Sequence, residues 1–172
     1  MSTLQRIKRT LRDRKMDTSL EHNILQRKDK NGYYLSVAMQ IATGSKCPEG
    51  KQHGCIAVKH NRIVSTGYNG APGGQAHCSP CKLDVYKRQH RGKKDFSVCP
   101  AVHAEINCII TSSLIGTSIV GSIFYVTKRP CDDCKKALQN MQLTGVVYMD
   151  DMTGDHWIMV GPDLITEDII IY

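Results

Sequence analysis

The sequence predicts an α/β protein, a three-layer α/β/α sandwich around a mixed central sheet. Two β-rich runs, Gly54 to His60 and Arg62 to Tyr68, meet at Asn61 as a hairpin. Two helix-to-strand crossovers then follow between residues 101 and 149, which a sheet begun by a hairpin must accommodate on its faces. The whole chain is 172 residues, without internal repeat or low-complexity segment, so it reads as one core with an appendage.

The appendage is residues 1–31, a basic N-terminal arm, and the folded domain is 32–172. Leu4, Ile7 and Leu11 in the arm have helical spacing, consistent with a short amphipathic helix. A subunit-contacting arm and a phosphate- or nucleic-acid-binding arm both fit that pattern. From Tyr33 to Ala42, the apolar positions Tyr34, Val37, Ala38 and Ile41 predict a helix, with Gly44 as its stop. After the hairpin, four glycines and one proline in the eight residues Gly67–Gly74 break regular structure and let backbone approach a ligand closely. Gln75 to Pro100 reads as a long irregular loop, of a length that is usually functional or pinned. A helix over about Ala101–Ser112 follows, with Ile106, Ile109 and Ile110 as its core face. Ser122–Thr127 is a strand, Thr127–Pro130 a turn, and the next helix opens at Cys131 and buries Ala137, Leu138 and Met141. Val146–Met149 is a strand, and the chain ends in a β-rich run, Asp168–Tyr172.

Composition narrows the function. Hydrophobic residues make up 41% and the net charge is +7. Nine Lys/Arg against four Asp/Glu in residues 1–31 put five of those charges in the arm and leave only +2 for the body. A mildly basic body suits a small anionic substrate as well as a polymer. The longest apolar runs, such as Ile169-Ile170-Ile171, are far too short to span a bilayer, and the charged N-terminus is unlike a secretory signal. A cytoplasmic protein is therefore expected, in which eight cysteines serve as metal ligands and core thiols more than as disulfides.

The chemistry concentrates between His103 and Cys134. His103-Ala104-Glu105 is followed, 26 residues after Glu105, by Cys131-Asp132-Asp133-Cys134 with Pro130 in front. One imidazole and two thiolates are the soft tetrahedral ligands that zinc favours, with a fourth position open for water. Glu105, two residues past the histidine, can reach that water without being a ligand, and so act as a proton shuttle. A structural zinc site would want a fourth protein ligand, and a redox Cys-x-x-Cys has no need of a distant His-x-Glu. A second cluster lies in the loop: Cys78-x-x-Cys81 has zinc-knuckle spacing, and Cys99 and Cys47 could complete four thiolates, with His77 as a substitute. Unrelated reduced thiols remain the alternative. Cys55 and Cys108 are read as small buried apolar residues.

These residues resemble the zinc-dependent cytidine deaminase superfamily, whose signature is H-x-E with P-C-x-x-C. Within it they resemble the deoxycytidylate (dCMP) deaminase family. The resemblance covers roughly Tyr34 to Asp151 and rests on Ser45-Lys46-Cys47, Gly67-Tyr68-Asn69-Gly70-Ala71-Pro72, His103-Ala104-Glu105-Ile106-Asn107, and Tyr125-Val126-Thr127 before Pro130-Cys131. It implies a cytidine deaminase-like fold, catalytic zinc on His103, Cys131 and Cys134, and Glu105 as proton shuttle. It also implies hydrolysis of dCMP to dUMP and ammonia, a step that supplies thymidylate synthesis. Asn69 would bond the sugar, and Thr127 and Ala104 would line the base. Ser45, Lys46 and Arg129 are the candidates for the phosphate. By the same resemblance Cys47, Cys78, Cys81 and Cys99 hold a second, structural zinc, and the protein is a homo-oligomer, a hexamer. dCTP, accompanied by Mg2+, would activate and dTTP inhibit at the loop Gly70, Ala71, Pro72, Gly73. The rival readings are a deaminase acting on tRNA or another nucleic acid, a dCTP deaminase, and a non-catalytic zinc-stabilised binding module. Nucleic-acid deaminases lack both the G-Y-N-G-x-P element and the long cysteine-bearing insert, so a nucleic-acid partner is not expected.

Overall fold

A computed structural model describes residues 30–48, 50–93 and 95–149, together with the backbone of 156–160 and 169–170. The arm's apolar positions lie outside the described residues. The elements in order are α1 (Lys30–Ala42), β1 (Gly54–Lys59), β2 (Arg62–Tyr68), α2 (Lys82–Gln89) and a 3-10 turn (Phe96–Val98). Then come α3 (Ala104–Ile115), β3 (Ile123–Val126), α4 (Asp132–Asn140), β4 (Gly145–Met149), β5 (His156–Val160) and β6 (Ile169–Ile170). The strands form one sheet in the order β2-β1-β3-β4-β5-β6. Only β3 and β4 are parallel, because α4 carries the chain back between them; the other pairs are antiparallel.

The predicted hairpin forms as expected. His60 and Asn61 both take positive φ, 50° and 61°, the geometry that a two-residue turn needs to match strand twist. Strand alternation then makes two cores. Cys55 and Ala57 of β1, Phe124 and Val126 of β3, and Val146 and Tyr148 of β4 face α3 and α4. Ile56 and Val58, Tyr125 and Val147 face the other way, onto Tyr34, Leu35 and Ala38 of α1. One helix on one face and two on the other is the expected sandwich.

Two glycines set how closely those layers approach. A Cβ on Gly54 would fall 2.1 Å from Ala38 O, and one on Gly67 would fall 2.3 Å from Cys108 N and 2.4 Å from Ala104 O. Helix backbone therefore rests directly on strand backbone at both places. Ser65 Oγ donates a buried 2.7 Å hydrogen bond to Cys108 O, fixing α3 along β2.

Three expectations need correction, and one strand was not anticipated. The stretch Gln75–Pro100 is not all loop, since it contains α2 and the 3-10 turn. α2 buries no residue fully and is tied to the body by an ion pair between Lys51 Nζ and Asp84, while Tyr86 stacks on the helix's own C-cap His90, so it shows no strong apolar period to read. α3 begins at Ala104 rather than Ala101, because Val102 spends both backbone groups on a bridge to Gly70, at 2.8 and 3.1 Å. Ile110 is exposed, while Ala104, Cys108 and Ser112 make α3's buried stripe. The strand His156–Val160 lies in a stretch that gave no legible pattern, and pairs antiparallel with β4.

Candidate metal centre and active site

His103 and Cys131 are the N-cap residues of α3 and α4, both with extended backbone, and Cys134 lies in the first turn of α4. Neighbouring strands β1, β3 and β4 hold the two helices on the same face of the sheet, which brings their N-termini together. His103 Nδ1 stands 3.3 Å from Cys131 Sγ and 3.3 Å from Cys134 Sγ. The three ligand atoms lie within 4.8 Å of one another, and among the described residues they are the group of three so placed. Two ligands on one tetrahedral zinc, at Zn–N of about 2.0 Å and Zn–S of about 2.3 Å, stand roughly 3.5 Å apart. The residues therefore fit a zinc ion.

The electrostatics agree. Burial pushes the Cys134 thiol far above its ordinary range, and the neighbouring Glu105 and Cys131 add to the rise. Such a thiol ionises only with a cation against it, and the positive ends of α3 and α4 contribute to that field. Glu105 is 6% exposed, and burial pushes its carboxyl above the usual carboxylate range. Its own backbone N–H, His103 and Cys134 oppose the rise. A carboxyl displaced toward neutral pH exchanges protons readily, which suits a shuttle. His103 and Cys131 are exposed, so the centre opens to solvent.

A buried carboxylate beside a three-ligand His/Cys/Cys centre defines a zinc-dependent hydrolytic deaminase. Residues 28–150 match the family described as the cytidine and deoxycytidylate deaminase zinc-binding region. The chain is 35% identical over 128 residues to the deoxycytidylate deaminase of Mycobacterium phage D29, covering 72% of this chain and 97% of that one. It is 33% identical over 125 residues to the human deoxycytidylate deaminase, covering 72% of this chain and 66% of that one. The dCMP deaminase of cyanophage S-TIM5, solved in complex with dCMP and dUMP, superposes with a TM-score of 0.58 at 28% identity, covering 72% of this chain and 84% of that one. The chain belongs to the cytidine and deoxycytidylate deaminase family.

The other expected site residues are placed as follows. Ala104 is buried at the head of α3, between the ligand and the shuttle. Thr127 extends the β1–β3 ladder, its Oγ1 accepting from Gly54 N at 3.0 Å and its own N–H donating to Gly54 O at 3.0 Å. Asn69 is 8% exposed at the end of β2, its side chain engaged by the Lys51–His53 backbone. Ser45 is buried, its Oγ accepting from Cys47 N at 3.1 Å and its carbonyl from Gln52 Nε2 at 2.7 Å. Lys46 and Arg129 are exposed. In the glycine-rich loop Gly70 is buried against Val102, Ala71 and Pro72 are half-buried, and Gly73 is exposed.

The four remaining candidate ligands, Cys47, Cys78, Cys81 and Cys99, are all half-buried and reduced. They come from distant points of the chain, yet Cys99, Cys78 and Cys81 all stand near enough to add to the rise that burial gives the Cys47 thiol. They are not drawn together as tightly as the first centre. Cys55 and Cys108 are fully buried in the core, as expected. Gly67 and Ser65, which seat α3, escaped sequence reasoning. The one available signal was a glycine inside a strand, which marks close backbone approach.

Proposed function

We propose that this protein hydrolyses dCMP to dUMP and ammonia. The observation that carries the reading is buried Glu105 beside the His103/Cys131/Cys134 centre, supported by the deoxycytidylate deaminases among its relatives. Zinc, when bound, polarises water so that it attacks at neutral pH. Glu105 takes protons from that water and returns them to the substrate. Water oxygen bonds to C4 of cytosine while Glu105 moves one water proton to N3; the second water proton then passes through Glu105 to the amine, the C4–N bond breaks, and ammonia leaves with C4 now a carbonyl. Ala104 and Thr127 line the base and Asn69 meets the sugar. The test is ammonia release from zinc-loaded protein offered dCMP, dCTP, deoxycytidine and a tRNA in parallel. Turnover confined to dCMP is the expected result; turnover of tRNA alone would overturn the reading.

Ser45, Lys46 and Arg129 are proposed to meet the phosphate, with Ser45 Oγ also accepting from Cys47 N and so shaping the turn that carries Lys46. Lys46→Ala is expected to raise KM for dCMP by about tenfold with little change in kcat, since removing a ground-state contact acts on KM. Steady-state kinetics checks this, and an effect confined to kcat would place Lys46 elsewhere.

The second zinc belongs to the same proposal. The zinc-knuckle spacing of Cys78 and Cys81 supports it, as does the influence that Cys99, Cys78 and Cys81 each have on the Cys47 thiol, although the four are less tightly drawn together than the catalytic ligands. Metal analysis is expected to find two zinc ions per chain in the wild type. Cys78→Ser should retain one ion and keep the catalytic centre, with a lower melting temperature.

We further propose a homo-oligomer, a hexamer as the resemblance implies, in which α3 meets a second copy. Ile110 and Ile115 are exposed on α3, and so are Leu114 (81% exposed) and, beyond its end, Val120. No charged residue occurs between Glu105 and Lys128, a depletion characteristic of interface cores. Leu114→Glu is expected to lower the mass measured by light scattering, and an unchanged mass would remove α3 from the interface. Activation by dCTP with Mg2+, and inhibition by dTTP, at Gly70–Gly73 completes the proposed reading. No helix among the described residues is long and apolar enough to cross a membrane.

A further inference from the structure

The residues proposed for the two ends of the substrate come from two separate pieces of the fold. His103, Ala104 and Glu105, on the side of the base, open α3. Asn69 for the sugar, and Ser45 and Lys46 for the phosphate, sit on chain ends beyond β2 and α1. Those chain ends are braced to one another. Asn69 Oδ1 accepts from His53 N at 2.8 Å, and its Nδ2 donates to Lys51 O at 2.8 Å. Between those two residues, Gln52 Nε2 donates to Ser45 O at 2.7 Å. The ring of Tyr68, the residue before Asn69, lies against Gly44, where an added Cβ would fall 3.0 Å from Tyr68 Cε1. The sugar and phosphate candidates therefore form one cross-braced piece.

Asn107 ties that piece to the catalytic helix. Its backbone N–H donates to His103 O at 3.0 Å, which places it one turn past the ligand, and its Nδ2 donates to Tyr68 O at 2.7 Å. A carbonyl acceptor admits only the N–H end of the amide, so the side chain has one orientation. Ser65 makes a comparable bond to Cys108 O, but from a point three residues back along β2. Asn107 is the side chain that reaches from α3 to the neighbour of Asn69.

We propose that Asn107 is a positioning residue that fixes the spacing between the reacting base and the sugar–phosphate end of the nucleotide, so that phosphate binding is converted into rate. The inference rests on the proposed sugar and phosphate contacts. Binding energy from a remote part of a substrate raises kcat only where it orients the reacting atoms. A phosphate held beside Ser45 and Lys46 orients C4 over Glu105 only if that loop and α3 keep a fixed separation. Without the Asn107 bond the nucleotide still binds, but its base is no longer drawn to one place.

The test compares dCMP with deoxycytidine, which lacks the phosphate, on the zinc-loaded full-length chain. In the wild type the phosphate should lower KM and also raise kcat, the latter by about tenfold. Asn107→Ala should lower kcat for dCMP until the two kcat values agree within about twofold, while the ratio of KM values and the zinc content stay as in the wild type. Asn107→Asp, of equal shape but without the N–H, should do the same, which ties the effect to the hydrogen bond and not to lost packing. Calorimetry supplies a readout that needs no turnover: affinity for dUMP should change by less than about threefold in both variants. Failure of the wild type to deaminate dCMP would sink the proposed function, and this inference with it. Equal kcat for the two substrates in the wild type would remove the phosphate from catalysis and the inference likewise. A kcat ratio that survives both substitutions, or an equal loss of kcat on both substrates, would overturn this inference alone.

Discussion

Glu105→Gln should retain zinc and lose turnover by about 10²- to 10⁴-fold, the range that a positioned general acid–base contributes. Glutamine keeps the size and hydrogen-bonding reach of the carboxylate, so the seat at the head of α3 survives. It cannot carry a proton between water and amine. Because Glu105 is buried and its carboxyl already displaced toward neutrality by that burial, bulk buffer is poorly placed to stand in for it. The same substitution removes a negative charge that raises the Cys134 thiol, so zinc binding should hold or tighten. Ammonia release measured beside zinc content checks both halves. Full activity in a zinc-loaded variant would remove Glu105 as the shuttle, and loss of zinc would mean that the carboxylate supports the metal.

The catalytic centre was legible in the sequence because its parts are local. His103 and Glu105 lie two residues apart, Cys131 and Cys134 three apart, and each pair needs only a helix start to be positioned. The hairpin was legible for a similar reason, since Asn61 and its flanking β-branched residues report on the turn directly. Long-range approach was less so. The isoleucines of α3 suggested an apolar face at Ile106, Ile109 and Ile110; Ile109 does pack against the core, but Ile110 is exposed, and Ala104, Cys108 and Ser112 are the small residues turned fully inward. They occupy i, i+4 and i+8, and their smallness is what lets α3 lie on β2 at Gly67. Hydrophobicity ranks the residues in the opposite order from close packing here. α2 hid for a related reason: its tie to the body, the ion pair of Asp84 with Lys51, is a polar contact that carries no period, and none of its residues is fully buried. Asn69 was singled out by the family resemblance, but its saturation by Cys47, Lys51 and His53 exists only in three dimensions.

Gly67→Ala should, with Gly54→Ala, be among the most damaging single methyls in the described part of the molecule. Its Cβ would meet Cys108 N at 2.3 Å and Ala104 O at 2.4 Å, and both are backbone atoms that cannot rotate away. Either α3 lifts from β2 or the strand bends, and overpacking of this kind costs about 3 kcal/mol. For a chain of this size that corresponds to a melting temperature lower by about 10 °C. The displacement has a direction: Ala104 is the residue between His103 and Glu105, so moving its carbonyl moves the ligand and the shuttle together. Reacting groups misplaced by about 1 Å can lose about 10²-fold in rate, so kcat should fall even below the melting transition. Gly73→Ala, assayed without effector nucleotides because Gly73 lies in the proposed effector loop, is the matched control, since its added Cβ meets nothing within 4 Å and no positive φ is involved. Thermal melts and steady-state rates on the two variants separate the possibilities. Lower stability with normal kcat would mean that the sheet yields and α3 stays in place. Parallel loss of both would identify Gly67 as the seat on which the active-site helix rests.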